Sequence, residues 1–428
     1  MKMIRVILPL VGCLMAMPAV GADWPQWRGP NRDGHSKEKA LLTTWPEGGP
    51  KLLWTFDQTG AGYGTPAVVG GKVYILGAED PEKGDKEFLT CLDAKEGKQL
   101  WKQEIDTSAG GYSTNWGSGP RGTPTVDGEF VYVLGARGDL QCRKLADGSK
   151  VWSLSMMKDL GGRIPGWGYS ESVLIDGDKL LCTPGGAKGT IACLKKTDGS
   201  VVWRSEGFTD GAAYSSIVIS NVGVKQYITL VPSGTVSVRA SDGKVLWKSA
   251  AGKNGVAVCP TAVINDKYVF STSGYNSGCG LLELEPDGPD NVKMKEVYLN
   301  SAMINHHGGV INVDNFLYGF SERGGWVCLD YLKLNATMID PLWKSNKLEK
   351  GSLTFADGRF YCYGEKGVCV LLEANSKEWK EAGRFEIPQK SKFERRSGKI
   401  WTHPVIADAK LFLRDHEYLF AFDVKGAD

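Results

Sequence analysis

Beyond Ala22 the chain has no apolar run near the ~18 residues that a membrane-spanning helix needs, which excludes a helical span from that part. A charge imbalance is missing too. Lys and Arg number 51 against 49 Asp and Glu, a formal charge of +2, so there is no electrostatic footprint for nucleic acid or an anionic membrane. No Cys-x-x-Cys-His occurs, which excludes covalent c-type haem. The stretch Gly185–Thr190 lacks the GxxxxGK[ST] spacing of a phosphate loop and sits between strands rather than before a helix. Histidine is scarce, at five residues.

Glycine and tryptophan are plentiful, at 55 and 14. From Arg121 to Trp152 the chain reads RGTPTVDGEFVYVLGARGDLQCRKLADGSKVW. The β-patterned runs TPTV, EFVYVLGA, LQCRKL and KVW are separated by Asp127-Gly128, Arg137-Gly138-Asp139 and Asp147-Gly148, residue types that reverse a strand tightly. The closing part recurs in segments ending at Trp101, Trp152, Trp203 and Trp247, and the opening part begins at Gly64, Gly122 and Ser170. Worn openings follow at Cys259, His306, Ser352 and Thr402; the closing aromatic returns as Trp343 and is replaced near Val297-Tyr298 and at Phe385. Self-similarity at roughly 40–50 residues, four strands per unit, predicts an all-β propeller. The openings total eight. The last unit lacks its closing strand, and Lys51–Phe56 carries such a strand at the other end. The expected architecture is an eight-bladed β-propeller of four-stranded antiparallel blades, closed by the N-terminal strand completing the last blade; seven blades is the alternative.

The closing pattern, with Trp four residues after the turn glycine, resembles the PQQ-type (quinoprotein) propeller repeat from about Trp54 to Val424. The resemblance is specific for fold. It implies one of two functions, since some members of that superfamily are pyrroloquinoline-quinone dehydrogenases and others are similar to the β-barrel assembly lipoprotein BamB and bind proteins without catalysis. Many quinoprotein alcohol dehydrogenases carry an adjacent Cys-Cys pair, and this chain has none.

Residues 1–22 read as a secretory signal: Lys2 and Arg5, an apolar run, then Val20-Gly21-Ala22 before a cleavage point. The expected location is secreted or periplasmic. A lipoprotein box at Leu10–Cys13 is the weaker alternative, because the apolar run continues past Cys13. Residues 23–50, rich in Trp, Pro and Gly, form an irregular arm whose aromatics are expected to pin it against the side or base of the ring; the alternative is a flap near the channel mouth. Residues 51–428 form the propeller, expected as a monomer.

Ten cysteines in an exported chain suggest disulfides. Cys91, Cys142 and Cys193, however, each lie ten residues before a closing Trp. Equivalent positions in different blades are too far apart for the ~5.5 Å Cα separation of a bridge, so these are read as small buried residues. Cys259 and Cys279 share a blade and are the one plausible pair.

In a propeller the loop leading into each inner strand opens on one face. Those loops bring together Tyr63, Trp116, Arg121, Trp167, Tyr169, Glu171, Tyr214, His306, His307, Trp401 and His403 as a candidate ligand site with aromatic walls. Arg121 is the expected partner of Glu171. His306 and His307 are expected on opposite faces of a strand, which disfavours a shared metal; His35 and His416 are expected at the surface or in loops. The repeated Asp-Gly pairs are read as turns rather than calcium ligands.

A PQQ dehydrogenase would need Ca²⁺ to polarise the quinone and a carboxylate as base. The mouth loops of blades five and six hold no Asp or Glu. The expected function is therefore a non-catalytic binding or scaffold protein without a cofactor, taking a cell-envelope protein, a peptide or a glycan. A PQQ- and Ca²⁺-dependent dehydrogenase of alcohols or sugars is the alternative.

Overall fold

The computed structural model describes residues 22–79, 86–108, 110–334, 339–393 and 399–426; the signal reading and Cys13 lie outside the described residues, but for Ala22. Eight four-stranded antiparallel sheets form the eight blades of a propeller. Blade 1 runs from its inner strand Ala67–Val69 through Lys72–Ala78 and Glu87–Asp93 to its outer strand Gln99–Ile105. The inner strands of blades 2 to 7 are Thr125–Asp127, Leu174–Asp176, Val218–Ser220, Val263–Asn265, Val310–Val313 and Gly351–Ala356. Blade 8 comprises Val405–Ala407, Lys410–Asp415 and Tyr418–Asp423, with Leu52–Phe56 hydrogen-bonded to Tyr418–Asp423 as the fourth strand.

The closing tryptophan is there to join blades. Indole Nε1 of Trp54 donates to Ala94 O at 3.1 Å, Trp101 to Leu145 O at 3.2 Å, and Trp152 to Lys196 O at 3.0 Å. Each bond runs from an outer strand to the third-strand end of the next blade. Where Trp is replaced in blade 5, Tyr298 takes over, its hydroxyl donating to Tyr331 O at 2.7 Å. The turn glycine has a matching reason. Gly148 has φ 71°, and a Cβ there would lie 2.7 Å from the ring of Trp101 in the preceding blade. The aspartates of these turns are occupied locally: Asp147 Oδ1 accepts from Ser149 N, and Asp198 Oδ1 from Ser200 N.

The core is correspondingly divided into apolar clusters that each span two neighbouring blades, from Leu76, Leu89 and Val131 between blades 1 and 2 to Phe412, Leu419 and Ile75 between blades 8 and 1. Cys91, Cys142, Cys193, Cys328 and Cys369 occupy the same third-strand position in five of these clusters. All nine described cysteines are free, Cys259 and Cys279 included, so that pairing is not made.

The arm does two things: its first half threads the channel, while its second half packs as expected against the outside of the ring, where Trp45 lies on Tyr361 and on Phe385 of blade 7's outer strand. Together the two halves touch every blade. Trp24 pairs with Val68 of blade 1, and Pro25 O accepts from Val126 N of blade 2. Arg32 donates to Ser172 O and Val173 O of blade 3 and to Ile217 O of blade 4. Trp27 Nε1 donates to Thr261 Oγ1 of blade 5 at 3.0 Å, and Arg28 to Val310 O of blade 6 at 2.6 Å. Ser36 bonds Phe355 O of blade 7 and Ile406 O of blade 8. Burial lowers the Arg28 and Arg32 guanidinium pKa values to about 10 and about 9, leaving both charged at neutral pH. A buried charge is tolerable when its N–H groups find acceptors; inner-strand carbonyls and Gln26 Oε1 supply them for Arg32, whereas Arg28 is held through Nη2 alone, by Asp33 O and Val310 O, and its Nε and Nη1 have no partner among the described residues.

Candidate functional site

Because the arm closes the channel from below, the mouth becomes a blind cup of about 390 Å³ with Trp27 as its floor. Tyr63, Trp116, Arg121, Trp167, Tyr214, His306, His307, Trp401 and His403 all line it. They converge because each stands just before an inner strand or in the loop leading to it. The rings form a nearly continuous wall: Tyr63 stacks on Trp401 at 5.3 Å and 30°, Trp116 lies 6.5 Å from Trp401, and Trp167 lies 6.0 Å from Tyr214. The tyrosines bind neighbouring loops, with Tyr63 Oη donating to Trp116 O at 2.5 Å and Trp167 N donating to Tyr214 Oη at 3.3 Å.

Two expected members are elsewhere. Tyr169 is buried behind the cup wall, its hydroxyl donating to Pro184 O at 2.9 Å. Glu171 is buried as well and is not paired with Arg121. Its Oε1 accepts from Thr183 N, its Oε2 has no hydrogen-bond partner among the described residues, and the nearest attractive charge is Arg32 of the arm. Burial outweighs that hydrogen bond and that charge, raising the carboxyl pKa to about 7. Arg121 instead donates to Gly119 O and Gly117 O and lies 4.9 Å over the ring of Tyr63.

His306 and His307 both face the cup, their centroids 5.3 Å apart. They lie in a bend, the inner strand beginning only at Val310, so strand alternation does not apply to them. His416 lies in the turn between the second and third strands of blade 8, a loop position as expected, but is buried, its Nδ1 accepting from Gly62 N at 3.0 Å. His35 is half-buried, its Nε2 2.9 Å from Asn312 O.

The cup also contains residues that the repeat did not mark. Tyr275 and Glu322 come from the hairpins between the second and third strands of blades 5 and 6, which reach the same face; Tyr275 N donates to Glu322 Oε2 at 2.9 Å. Lys350 and Lys399 immediately flank the mouth loops of blades 7 and 8. Beneath them the buried Glu365 accepts from Trp401 Nε1 at 2.8 Å and pairs with Lys399 at 3.1 Å and Lys350 at 3.6 Å. Lys350 Nζ donates to His306 Nδ1 at 3.0 Å. Their adjacency to the mouth loops was a usable signal; Trp27 had none, as the arm does not repeat.

Burial, with the charges of Lys350 and Lys399, lowers the His306 pKa to about 3; burial and Arg28 lower that of His403 to about 3, against the weaker opposing effect of its bond to His307 O. Burial, reinforced by neighbouring positive charge, also holds His307 well below the ordinary histidine range. The Cys259 thiol is raised by burial to about 12 despite Arg121 and Lys350. At neutral pH the cup thus offers neutral imidazoles and a protonated thiol, none tuned to take a proton from a substrate. Among the described residues no three His, Cys, Asp or Glu side chains gather as metal ligands.

A family model described as outer membrane protein assembly factor BamB matches residues 85–331. Outer membrane protein assembly factor BamB of Yersinia pestis is 22% identical over 200 residues, covering 44% of this chain and 48% of that protein. The corresponding protein of Xanthomonas campestris is 24% identical over 212 residues, covering 49% and 46%. The match thus spans about half the length of these curated relatives. Among solved structures, BamB from Moraxella catarrhalis aligns with TM-score 0.59 at 13% identity, covering 88% of this chain and 98% of that one. Quinohemoprotein alcohol dehydrogenase from Comamonas testosteroni aligns with TM-score 0.64 at 12% identity, covering 95% and 81%. Identities this low establish a common fold only.

Proposed function

The chain belongs to the family of outer membrane protein assembly factor BamB, and from that premise we propose that it is a binding or scaffold protein of the cell envelope, using the blind cup at its mouth and carrying out no chemistry there. The cup's composition carries this reading: aromatic walls for docking, imidazoles whose pKa values are held low, and Glu322 as the one carboxylate among the described lining residues, one of its oxygens bonded by Tyr275 N. Its ligand is a cell-envelope protein, a peptide or a glycan. Export through a signal ending near Ala22 places the monomeric chain in the compartment where such partners occur.

The dehydrogenase alternative has one point in its favour: aromatic walls with Arg121, Lys350 and Lys399 would suit a planar polycarboxylate such as PQQ. The accompanying Ca²⁺ fits poorly. That ion takes six to eight oxygen ligands, whereas among the described residues Glu322 is the only carboxylate lining the cup, and one of its oxygens is engaged by Tyr275 N. Glu365 is engaged by Trp401 and the lysines, and Glu171 lies outside.

Two measurements test the proposal. Purified mature protein is titrated with PQQ, with and without Ca²⁺, following absorbance and tryptophan quenching, then assayed for dye-linked alcohol oxidation. No Ca²⁺-dependent binding and no turnover are expected; tight Ca²⁺-dependent binding with turnover would overturn the reading. A photo-crosslinking residue at Trp116, on the cup rim, is expected to capture an envelope component in cells. The same probe at Leu342, exposed outside the cup, is not.

A further inference from the structure

Resting on the reading of the mouth as a binding site, we propose that the cup takes an acidic saccharide: a sugar unit bearing a carboxylate or a sulfate. Its anionic group is held by Arg121, Lys350 and Lys399, and its ring lies against the indoles.

The argument begins with charge. Among the described residues three cations, Arg121, Lys350 and Lys399, line the cup. Lys350 and Lys399 share one carboxylate, that of Glu365, while Arg121 has only carbonyl and ring partners among the described residues. The surrounding imidazoles are held neutral, so they neither add repulsion nor compensate charge. Glu322 is the one carboxylate among the described lining residues, and one of its oxygens accepts from Tyr275 N, so set against Glu322 and Glu365 the three cations leave a surplus of positive charge. The charges of Arg121 and Lys350 both bear on the thiol of Cys259, so they act on one shared space rather than at separate edges. A guanidinium already anchored by two carbonyls loses little further freedom when it binds an anion, which favours Arg121 as a fixed clamp.

The second consideration is shape. The floor at Trp27 makes the cup blind, and about 390 Å³ lies in the range of small-ligand sites. It accepts the end of an oligosaccharide, not a folded surface. Trp116 and Trp401, 6.5 Å apart, and Trp167 with Tyr214, 6.0 Å apart, line the cup with aromatic surface. A pyranose turns apolar C–H faces to such rings and keeps its hydroxyls toward polar groups.

The test uses the mature protein and three probes: trigalacturonate, a sulfated galactose trisaccharide and neutral galactotriose, titrated by calorimetry and by tryptophan fluorescence. At least one acidic probe is expected to bind about tenfold or more tightly than the neutral one, with affinity falling as salt rises. Which acidic probe binds identifies carboxylate or sulfate as the natural group. Lys399→Met, at an exposed position, is expected to weaken acidic binding about tenfold while circular dichroism stays unchanged. Equal affinity for neutral and acidic probes, or an unaltered affinity in Lys399→Met, would overturn the proposal. So would failure of all three probes to bind the folded protein; if the Trp116 crosslinker still captures a partner, the binding function survives that failure and only the acidic-saccharide assignment falls.

Discussion

The indole of Trp27 stands edge-on to the imidazole of His403, with ring centroids 4.6 Å apart and planes at 66°. One residue belongs to the arm and the other to the loop leading into the last blade, so this contact joins the two ends of the chain at the axis. It also converts a ring with a hole into a cup with a floor.

Trp27→Ala should therefore act in two ways. Stability is expected to fall by about 2 kcal/mol, from a half-buried aromatic removed and its cavity left behind, measured as a shift in the urea midpoint. Thr261→Val removes only the acceptor of the indole N–H and should cost about 1 kcal/mol. Both variants should retain the propeller's far-ultraviolet circular dichroism, because the blades are joined to one another without the arm.

Gly148 and Gly128 separate backbone from side-chain cost. Both have positive φ, 71° and 58°, but only at Gly148 does a Cβ meet neighbours, Gln103 Cγ and the Trp101 ring of the preceding blade. Gly128→Ala should cost about 1 kcal/mol for the left-handed conformation alone. Gly148→Ala should cost more, about 2–3 kcal/mol, as the blade junction is forced apart. Equal urea midpoints for the two variants would show that the indole gives way freely.

The pH dependence of stability should carry the signature of Glu171. Its folded pKa, near 7, is raised above the ordinary value of 4.5, so the folded state holds the proton more tightly than the unfolded chain. The resulting stabilisation is complete below about pH 4.5 and is lost as pH rises through about 7. Relative to wild type, Glu171→Gln should gain on the order of 2–3 kcal/mol between pH 4.5 and pH 8. Urea midpoints for both proteins across that range give the comparison; parallel profiles would mean the carboxyl is not buried as described.

The mouth was legible where a residue occupied a repeated position. Tyr63 and Tyr214 precede inner strands at equivalent places, and the fold brings such places to one face whatever the blade. Tyr169 occupies that place too, yet its hydroxyl turns to Pro184 O behind the wall. Glu171 was misassigned to Arg121 because both are near the axis in sequence terms. Their partners were decided by a segment outside the repeat, since Arg32 of the arm approaches Glu171 while Gly117 and Gly119 capture Arg121. The two adjacent histidines were misjudged for another reason. Alternation of faces holds for extended strands, and the chain bends at His306–Gly308.

What the sequence by itself determined is the blade: turn glycines, inner-strand openings and closing indoles recur, and each is a local requirement of geometry or of the next blade's surface. A periodic pattern is readable because the same constraint is written several times. The arm is written once. Its course through the channel depends on two buried arginines finding carbonyls from blades 3, 4 and 6, acceptors that share an axis only after the ring has closed. The tertiary structure alone decided that the mouth has a floor, that Lys350 and Lys399 share Glu365 beneath it, and that Glu171 is shut away behind it. Those outcomes rest on distances between residues hundreds of positions apart, and no local pattern encodes them.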